Sequence, residues 1–295
     1  MSGATESLGR RIAGAKDLKA VVRSMKALAA SSIGQYEKAV EALDEYYRTV
    51  ELGLMACLKI ETASFPAITP PAATGATVAI VFGSDQGLVG RFNEVLMEFA
   101  MGTLRSLPAK TQEIWPVGER MQALVAQTGL PAQGPMLVPN SVEAIAPLVG
   151  RILGAIEQTR VRSGIHEVHV FHNQPKSAAA YEPVGKRLLP LDGLWRSEIA
   201  VLPWPTKNLP QVIEGAAPAL EAFIREYLFV LLFQACAESL AAENASRLAA
   251  MQRAEKNIER ILDELNRTFH RVRQESIDEE LFELISGYEA LTERR

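Results

Sequence analysis

Proline and glycine are missing where a globular protein usually carries them. The chain has 295 residues with 16 Pro and 20 Gly, yet neither occurs from Ala219 to Ser286, a run of 68 residues. A typical globular helix is only ~11–12 residues long, so a compact enzyme rarely needs such a run. Cysteine is just as scarce. Cys57 and Cys236 stand alone, with no CxxC spacing, which excludes a disulfide framework and suits a reducing compartment. There is no basic surplus: 31 basic residues face 35 acidic ones, for a net charge of -4. That argues against a general nucleic-acid binder, although not against a local basic patch. Long apolar runs are absent too. Residues 1–10 lack the apolar core of a signal peptide. The apolar stretch Tyr227–Phe233 is too short to cross a bilayer at ~20 residues and reads as a buried stripe where a helix meets the central domain. These features predict a chain that is soluble or only peripherally attached to a membrane. A hydrophobic content of 48% excludes a disordered chain or a mucin-like stalk.

What is present is heptad spacing at both ends. In the first segment, residues 1–61, the positions Tyr36, Val40, Leu43, Tyr47, Val50, Leu54 and Leu58 advance by steps of three and four. They therefore share one stripe of a helix. Ile12, Val22, Met25, Ala29 and Ile33 continue a weaker, Ala-rich stripe upstream. Gly14, Gly34 and Gly53 lower helix propensity there without ending the helix, and Phe65-Pro66 through Pro70-Pro71 stops it. In the last segment, residues 218–295, the series is Asn244, Leu248, Met251, Glu255, Ile258, Leu262, Leu265, Phe269, Val272 and Ser276. An average step of ~3.5 residues predicts a left-handed supercoil with a partner helix. At 1.5 Å per residue the unbroken run would reach ~100 Å, too long for a small domain to bury alone. The simplest partner is the N-terminal helix, giving a long antiparallel two-helix coiled coil. That pairing would bring Cys57 and Cys236 near each other.

The middle segment, residues 73–210, reads as an inserted, mainly parallel, Rossmann-like α/β domain. Thr77–Phe82 has the composition of a buried strand, followed by a turn at Gly83–Gly87 and a helix from Arg91 to Leu107. Glu113–Val117 is a second strand, with a helix from Glu119 to Gln127. Gly134–Val138 is a candidate third strand. Asn140 or Ser141 is expected to cap a helix with Glu143 in its first turn, running toward Arg162. Glu167–Phe171 is a fourth strand, and Gly185–Leu191 a fifth that returns as a hairpin.

Candidate chemistry is thin. The turn Ser84-Asp85-Gln86-Gly87-Leu88-Val89-Gly90, with Asn93 beyond it, lies between a strand and a helix, where phosphate cradles occur. It is neither GxGxxG nor a P-loop, so a structural turn is the favoured reading. His166, His169 and His172 suggest a metal cluster. Period-two geometry puts His166 and His172 on one strand face and His169 on the other, too far apart for one zinc. His270 is alone on the long helix, and no Ser-His-Asp set is assignable. Asp278, Glu279, Glu280 and Glu283 read as a solvated helix face. Arg10, Arg11, Lys16, Lys19, Arg23 and Lys26, against Glu6 and Asp17, form a basic collar suited to an acidic surface. The alternative for the collar is plain solubility.

The two ends together resemble a known family. Arg11 to Ala30, with Arg-Ile followed later by Ser-Met-Lys-Ala-Leu-Ala, is similar to the N-terminal helix of the ATP synthase gamma subunit. Ser84–Asn93 resembles its Ser-Asp-x-Gly-Leu-Cys-Gly-x-Phe-Asn turn. Glu243–Asn257 resembles its Glu-x-x-x-Arg-Met block, and Arg273, Gln274, Ile277, Glu280, Leu281 and Gly287 resemble its last block. The resemblance spans essentially the whole chain. It implies the central rotor of the rotary F-type ATP synthase, carrying no catalytic residue, cofactor or metal. The implied partners are the alpha and beta subunits, the epsilon subunit and the membrane ring of c subunits, with no nucleic acid. The implied location is peripheral, at the cytoplasmic face of the bacterial inner membrane.

Carried over by position, Met25 would lie near the moving lobe of a beta subunit. Arg273 and Gln274 would contact a beta loop, beside Asp278, where the family usually has Thr. Arg247 and Met251 would be helix-packing positions. Ser84, Asp85, Gly87, Gly90 and Asn93 form the turn motif. His270, Phe269, Val89, Arg91 and Ile33 also depart from the family pattern and suggest a divergent branch. A non-rotary coiled-coil scaffold with an α/β head is the alternative, and an enzyme centred on the Ser84–Gly90 turn is a third reading. Proton or sodium coupling and the direction of operation are not written in this chain.

Overall fold

The computed structural model describes residues 3–60, 76–107, 111–134, 136–177, 180–208, 210–213 and 215–292. Helix α1 spans Gly3–Ile60 and α6 spans Ala216–Thr292. Pro218 sits in the first turn of α6, where its missing N–H would have had no intrahelical acceptor anyway. The expected stop of α1 at Phe65–Pro71 lies outside the described residues. By compactness the chain divides into two units. One is Met1–Ala29 with Leu248–Arg295, and the other is Ala30–Arg247. Each unit contains a part of both long helices.

In the first unit α1 and α6 pack antiparallel. Ile12 and Val22 of α1 meet Met251, Ile258, Leu262 and Leu265 of α6, flanked by Leu8, Ala15, Met25, Ala254 and Phe269. The nine residues of the predicted α6 stripe that fall in this unit, from Leu248 to Ser276, are buried or half-buried, as is Asn244 in the other unit, and from Ile277 to Ser286 every residue is exposed.

In the second unit four strands among the described residues form one sheet in the order β2-β1-β3-β4. They are β1 Ala76–Phe82, β2 Gln112–Val117, β3 Ile165–Ser177 and β4 Ala180–Leu189. β1 pairs parallel with β2 and β3, and β3 pairs antiparallel with β4. Helices cover both faces, which is why β1 is apolar from Val78 to Phe82 rather than alternating. Ala79 and Val81 meet α2 (Phe92–Ser106) and α3 (Glu119–Val125). Val78, Ile80 and Phe82 share a core with α4 (Ile145–Ser163) and with the parts of α1 and α6 in this unit. Tyr227, Val230, Leu231 and Leu232 of α6 are buried, as expected for the Tyr227–Phe233 stripe. Cys57 and Cys236 belong to this same core. Gly53 permits the close approach of α1 and α6 here, because a Cβ on it would lie 2.4 Å from the Phe223 ring.

Three expectations need correction. Gly134–Val138 is not a full strand: Pro135 lies outside the described residues, and Met136 makes an isolated bridge to Val117. Helix α4 starts at Ile145 with no side-chain cap on Ala144. Val142 and Ser141 instead close turns that receive the N–H groups of Ile145 and Ala144. The fourth strand continues well past Phe171 to Ser177 and forms a long hairpin with β4. Its polar outer half, His172 to Lys176, is held by pairing with β4 rather than by an apolar pattern.

Candidate functional site

The Ser84–Asn93 turn lies in the second unit between β1 and α2, and its polar groups are spent inside the chain. Asn93 Oδ1 accepts from the Ser84 N–H at 3.0 Å, and Asn93 Nδ2 donates to Ser84 Oγ at 2.9 Å. Ser84 Oγ donates to the Gln86 carbonyl at 2.9 Å. Asp85 reaches furthest. Its Oδ1 accepts from the Glu119 N–H at the start of α3 (3.0 Å), and its Oδ2 from the Val138 N–H (3.1 Å). A carboxylate at a helix N-terminus complements both the orphan amides and the dipole. Helix α6 closes the other side. Ser239 Oγ donates to the Phe82 carbonyl at 3.0 Å and Ser246 Oγ to the Val89 carbonyl at 2.5 Å. Gly90 has φ 63, and so does Leu88, which is 62% exposed. Gly87 lies against the Arg120 side chain. Gly118, at φ +106, has no room for a Cβ, which would sit 2.7 Å from the Ser84 carbonyl oxygen. The arrangement is a structural knot tying β1, α2, α3 and α6 together. An anion cradle would instead need its amides to converge on open space.

Arg247 forms an ion pair with Glu243 at 2.5 Å, one helical turn away, with side-chain exposures of 12% and 7%. Burial pushes the Glu243 carboxyl up, Arg247 pulls it down, and Asp85 pushes it up again. The Glu-x-x-x-Arg spacing is thus an i,i+4 pair held in a dry environment. Among the histidines, His172 Nε2 lies 2.8 Å from Glu238 and His169 Nε2 lies 3.1 Å from Glu167. His172 shares its sheet face with Val170, while His169 stacks beside Phe171. The two faces are opposite, as the period-two argument predicts, and the His166 side chain lies outside the described residues. Among the described residues no three His, Cys, Asp or Glu groups converge as a metal site, and no helix is long and apolar enough to cross a membrane.

In the first unit Met25 is half-buried against the helix-pair core, and Met251 is 1% exposed within it. Arg273, Gln274 and Asp278 are exposed on α6. The basic collar splits. Lys19 pairs with Glu259, and Arg23 and Lys26 both pair with Glu255, so the acidic surface these three meet is α6 itself. Sequence reasoning missed the strip beside Asp278: Phe282, Leu284 and Ile285 are exposed along with Ile277 and Leu281. Its signal was available, because the apolar positions continue past the point where the stripe residues end at Ser276.

A family model described as ATP synthase matches residues 4–291. The chain belongs to the ATP synthase gamma-chain family. The ATP synthase gamma chain of Frankia casuarinae is 27% identical over 299 aligned residues, covering 99% of both chains. That of Bdellovibrio bacteriovorus is 25% identical, covering 95% of this chain and 96% of the relative. The fold is similar to a chain in the cryo-EM structure of the Euglena gracilis mitochondrial ATP synthase, with a TM-score of 0.68 at 15% identity over 98% of this chain and 95% of that one. Within the family, the turn at Ser84 and the Glu243–Arg247 pair now have local physical explanations.

Proposed function

We propose that this chain is the central-stalk rotor subunit of an F-type ATP synthase, coupling rotation of the membrane c ring to ATP synthesis or hydrolysis at the beta subunits. The observation that carries the reading is the match to ATP synthase gamma chains over 99% of both chains. The exposed end of α6 supports it. Ile277, Leu281, Phe282, Leu284 and Ile285 form an apolar surface suited to enclosure by surrounding subunits. Arg273 is suited to a beta-subunit loop because its guanidinium forks onto carboxylate geometry, with Gln274 and Asp278 beside it and Met25 on the other helix. Alpha and beta subunits surround the helix pair in this reading, and the epsilon subunit and c ring take the α/β domain. The chain is then peripheral, held to the cytoplasmic face of a bacterial inner membrane through its complex.

Co-purification tests the proposal. The tagged chain is expected to bring down alpha and beta subunits in three-to-one ratios to itself. Recovery as a stable monomer with intrinsic turnover would sink it.

A further inference from the structure

A cavity of about 240 Å³ opens in the second unit between the β3–β4 hairpin and α6. His172 and Gln174 are alternate residues of β3 and share one face of the sheet. Lys186 reaches the same space from β4, and Gln234 and Glu238 line it from α6. These polar groups are unequally satisfied. Glu238 is fully engaged: His172 Nε2 lies 2.8 Å from its Oε2, Gln234 Nε2 donates to its Oε1 at 2.8 Å, and the Gln174 side chain adds a further bond. Two groups are left over. His172 Nδ1 is buried and has no hydrogen-bond partner among the described residues, which is costly for a ring nitrogen. Lys186 makes no ion pair among them, because the nearby Lys176–Glu182 pair on the same hairpin is closed on itself at 2.6 Å.

We propose that this cavity binds a small oxyanion, held by the Lys186 ammonium and the His172 ring. Size and charge narrow the occupant. At about 240 Å³ the cavity falls below the ~300–1,000 Å³ of drug-sized sites, so a nucleotide does not fit. A metal ion is disfavoured, because Lys186 repels it and His172 and Glu238 are spent on each other. An anion meets both open groups. It accepts one bond from the ammonium and another from Nδ1–H of the imidazolium, whose Nε2–H goes to Glu238. Glu238 is the carboxylate facing the site, and three donors already cover it. This inference concerns the α/β unit alone and does not rest on the rotor reading.

Titrating inorganic phosphate into the nitrogen-15-labelled full chain, at fixed pH and ionic strength, tests the site through the histidine ring signals. The chain has four histidines, and His172→Gln assigns the resonance. If that variant does not fold, replacing His166, His169 and His270 in turn assigns it by elimination. Phosphate should move the His172 ring signals saturably toward the doubly protonated form, with a Kd of ~1 mM. Lys186→Met removes a charge-assisted bond and should weaken binding ~10-fold or more. Lys186 is exposed, so this variant keeps the fold. Acetate titrated in parallel separates a tetrahedral inorganic anion from a small carboxylate, and saturation by either one supports the site. His172 signals that stay still, or drift without saturating, with both anions overturn the proposal. Undiminished binding by Lys186→Met overturns it as well.

Discussion

The same two helices are stabilised differently in the two units. Around Ala30–Arg247 they share a dense core with a sheet and further helices, and Leu54, Leu232 and Trp115 are fully buried. In the other unit they have a narrow apolar stripe, with Ile258, Leu262 and Leu265 each 7–9% exposed, and a ladder of ion pairs. A two-helix pair without other layers buries one stripe per helix, and ion pairs line what that stripe leaves partly open. The difference teaches that α6 is one helix facing two environments. The first environment buries it on several sides, and the second covers one stripe with ion pairs alongside.

One substitution type tests this contrast at both places. Leu232→Ala is expected to cost ~4 kcal/mol, near the upper end for a buried leucine, and Leu262→Ala ~2 kcal/mol, because a partly open stripe collapses more easily. Segment-resolved hydrogen exchange measures both, and equal losses would erase the distinction. Gly118→Ala should cost ~2–3 kcal/mol through positive-φ strain and the clash with Ser84, read from the same exchange profiles around α3. Asp85→Ala removes the acceptor for two amides and should cost ~2 kcal/mol, with protection lost first at Glu119 and Val138.

The pH response should also separate the units. The Glu255 carboxyl sits at about 2, below its ordinary 4.5. Its stabilisation is therefore complete above ~4.5 and is lost as pH falls toward 2. Glu243 is shifted the other way, by burial first, so its protonation on acidification favours the folded state. Glu238 partly offsets this: burial raises its carboxyl, but the bonds from His172, Gln234 and Gln174 bring it below its usual range. The gap in melting temperature between wild type and Glu255→Gln, followed by circular dichroism, is predicted to narrow steadily below pH 4.5. A constant gap would mean that the ion pairs of Arg23 and Lys26 with Glu255 contribute nothing. The smallest stability effect is expected for Arg273→Ala with Gln274→Ala, within ~0.5 kcal/mol for exposed positions. Their joint replacement should nevertheless slow ATP-driven rotation of the reconstituted complex.

Much of the fold was legible because periodicity reports burial directly. The Asn244–Ser276 series and the Tyr36–Leu58 series both turned out to be the packed stripes. The α/β insertion was legible from the apolar run at Thr77–Phe82 flanked by Gly83. The outer half of β3 was not, because His172, Asn173, Gln174 and Lys176 are polar and only cross-strand pairing with β4 makes them strand. Nor was the late start of α4, where Ser141 and Glu143 supply a cap-like pattern but the Ser141 and Val142 carbonyls close turns instead. Of the site residues, the Ser84 turn was recognisable as a motif, yet its function as a knot depends on Val138 and Ser246, far away in sequence. The division of the basic collar was equally hidden, since Glu255 reads as a flaw in the stripe until Arg23 and Lys26 are seen on it.

The most direct test of the rotor assignment places a visible probe on this chain within the immobilised alpha–beta complex and supplies ATP. The account predicts sustained rotation of the probe in one direction while ATP is hydrolysed. A probe that stays fixed while hydrolysis proceeds would contradict it and favour a static scaffold.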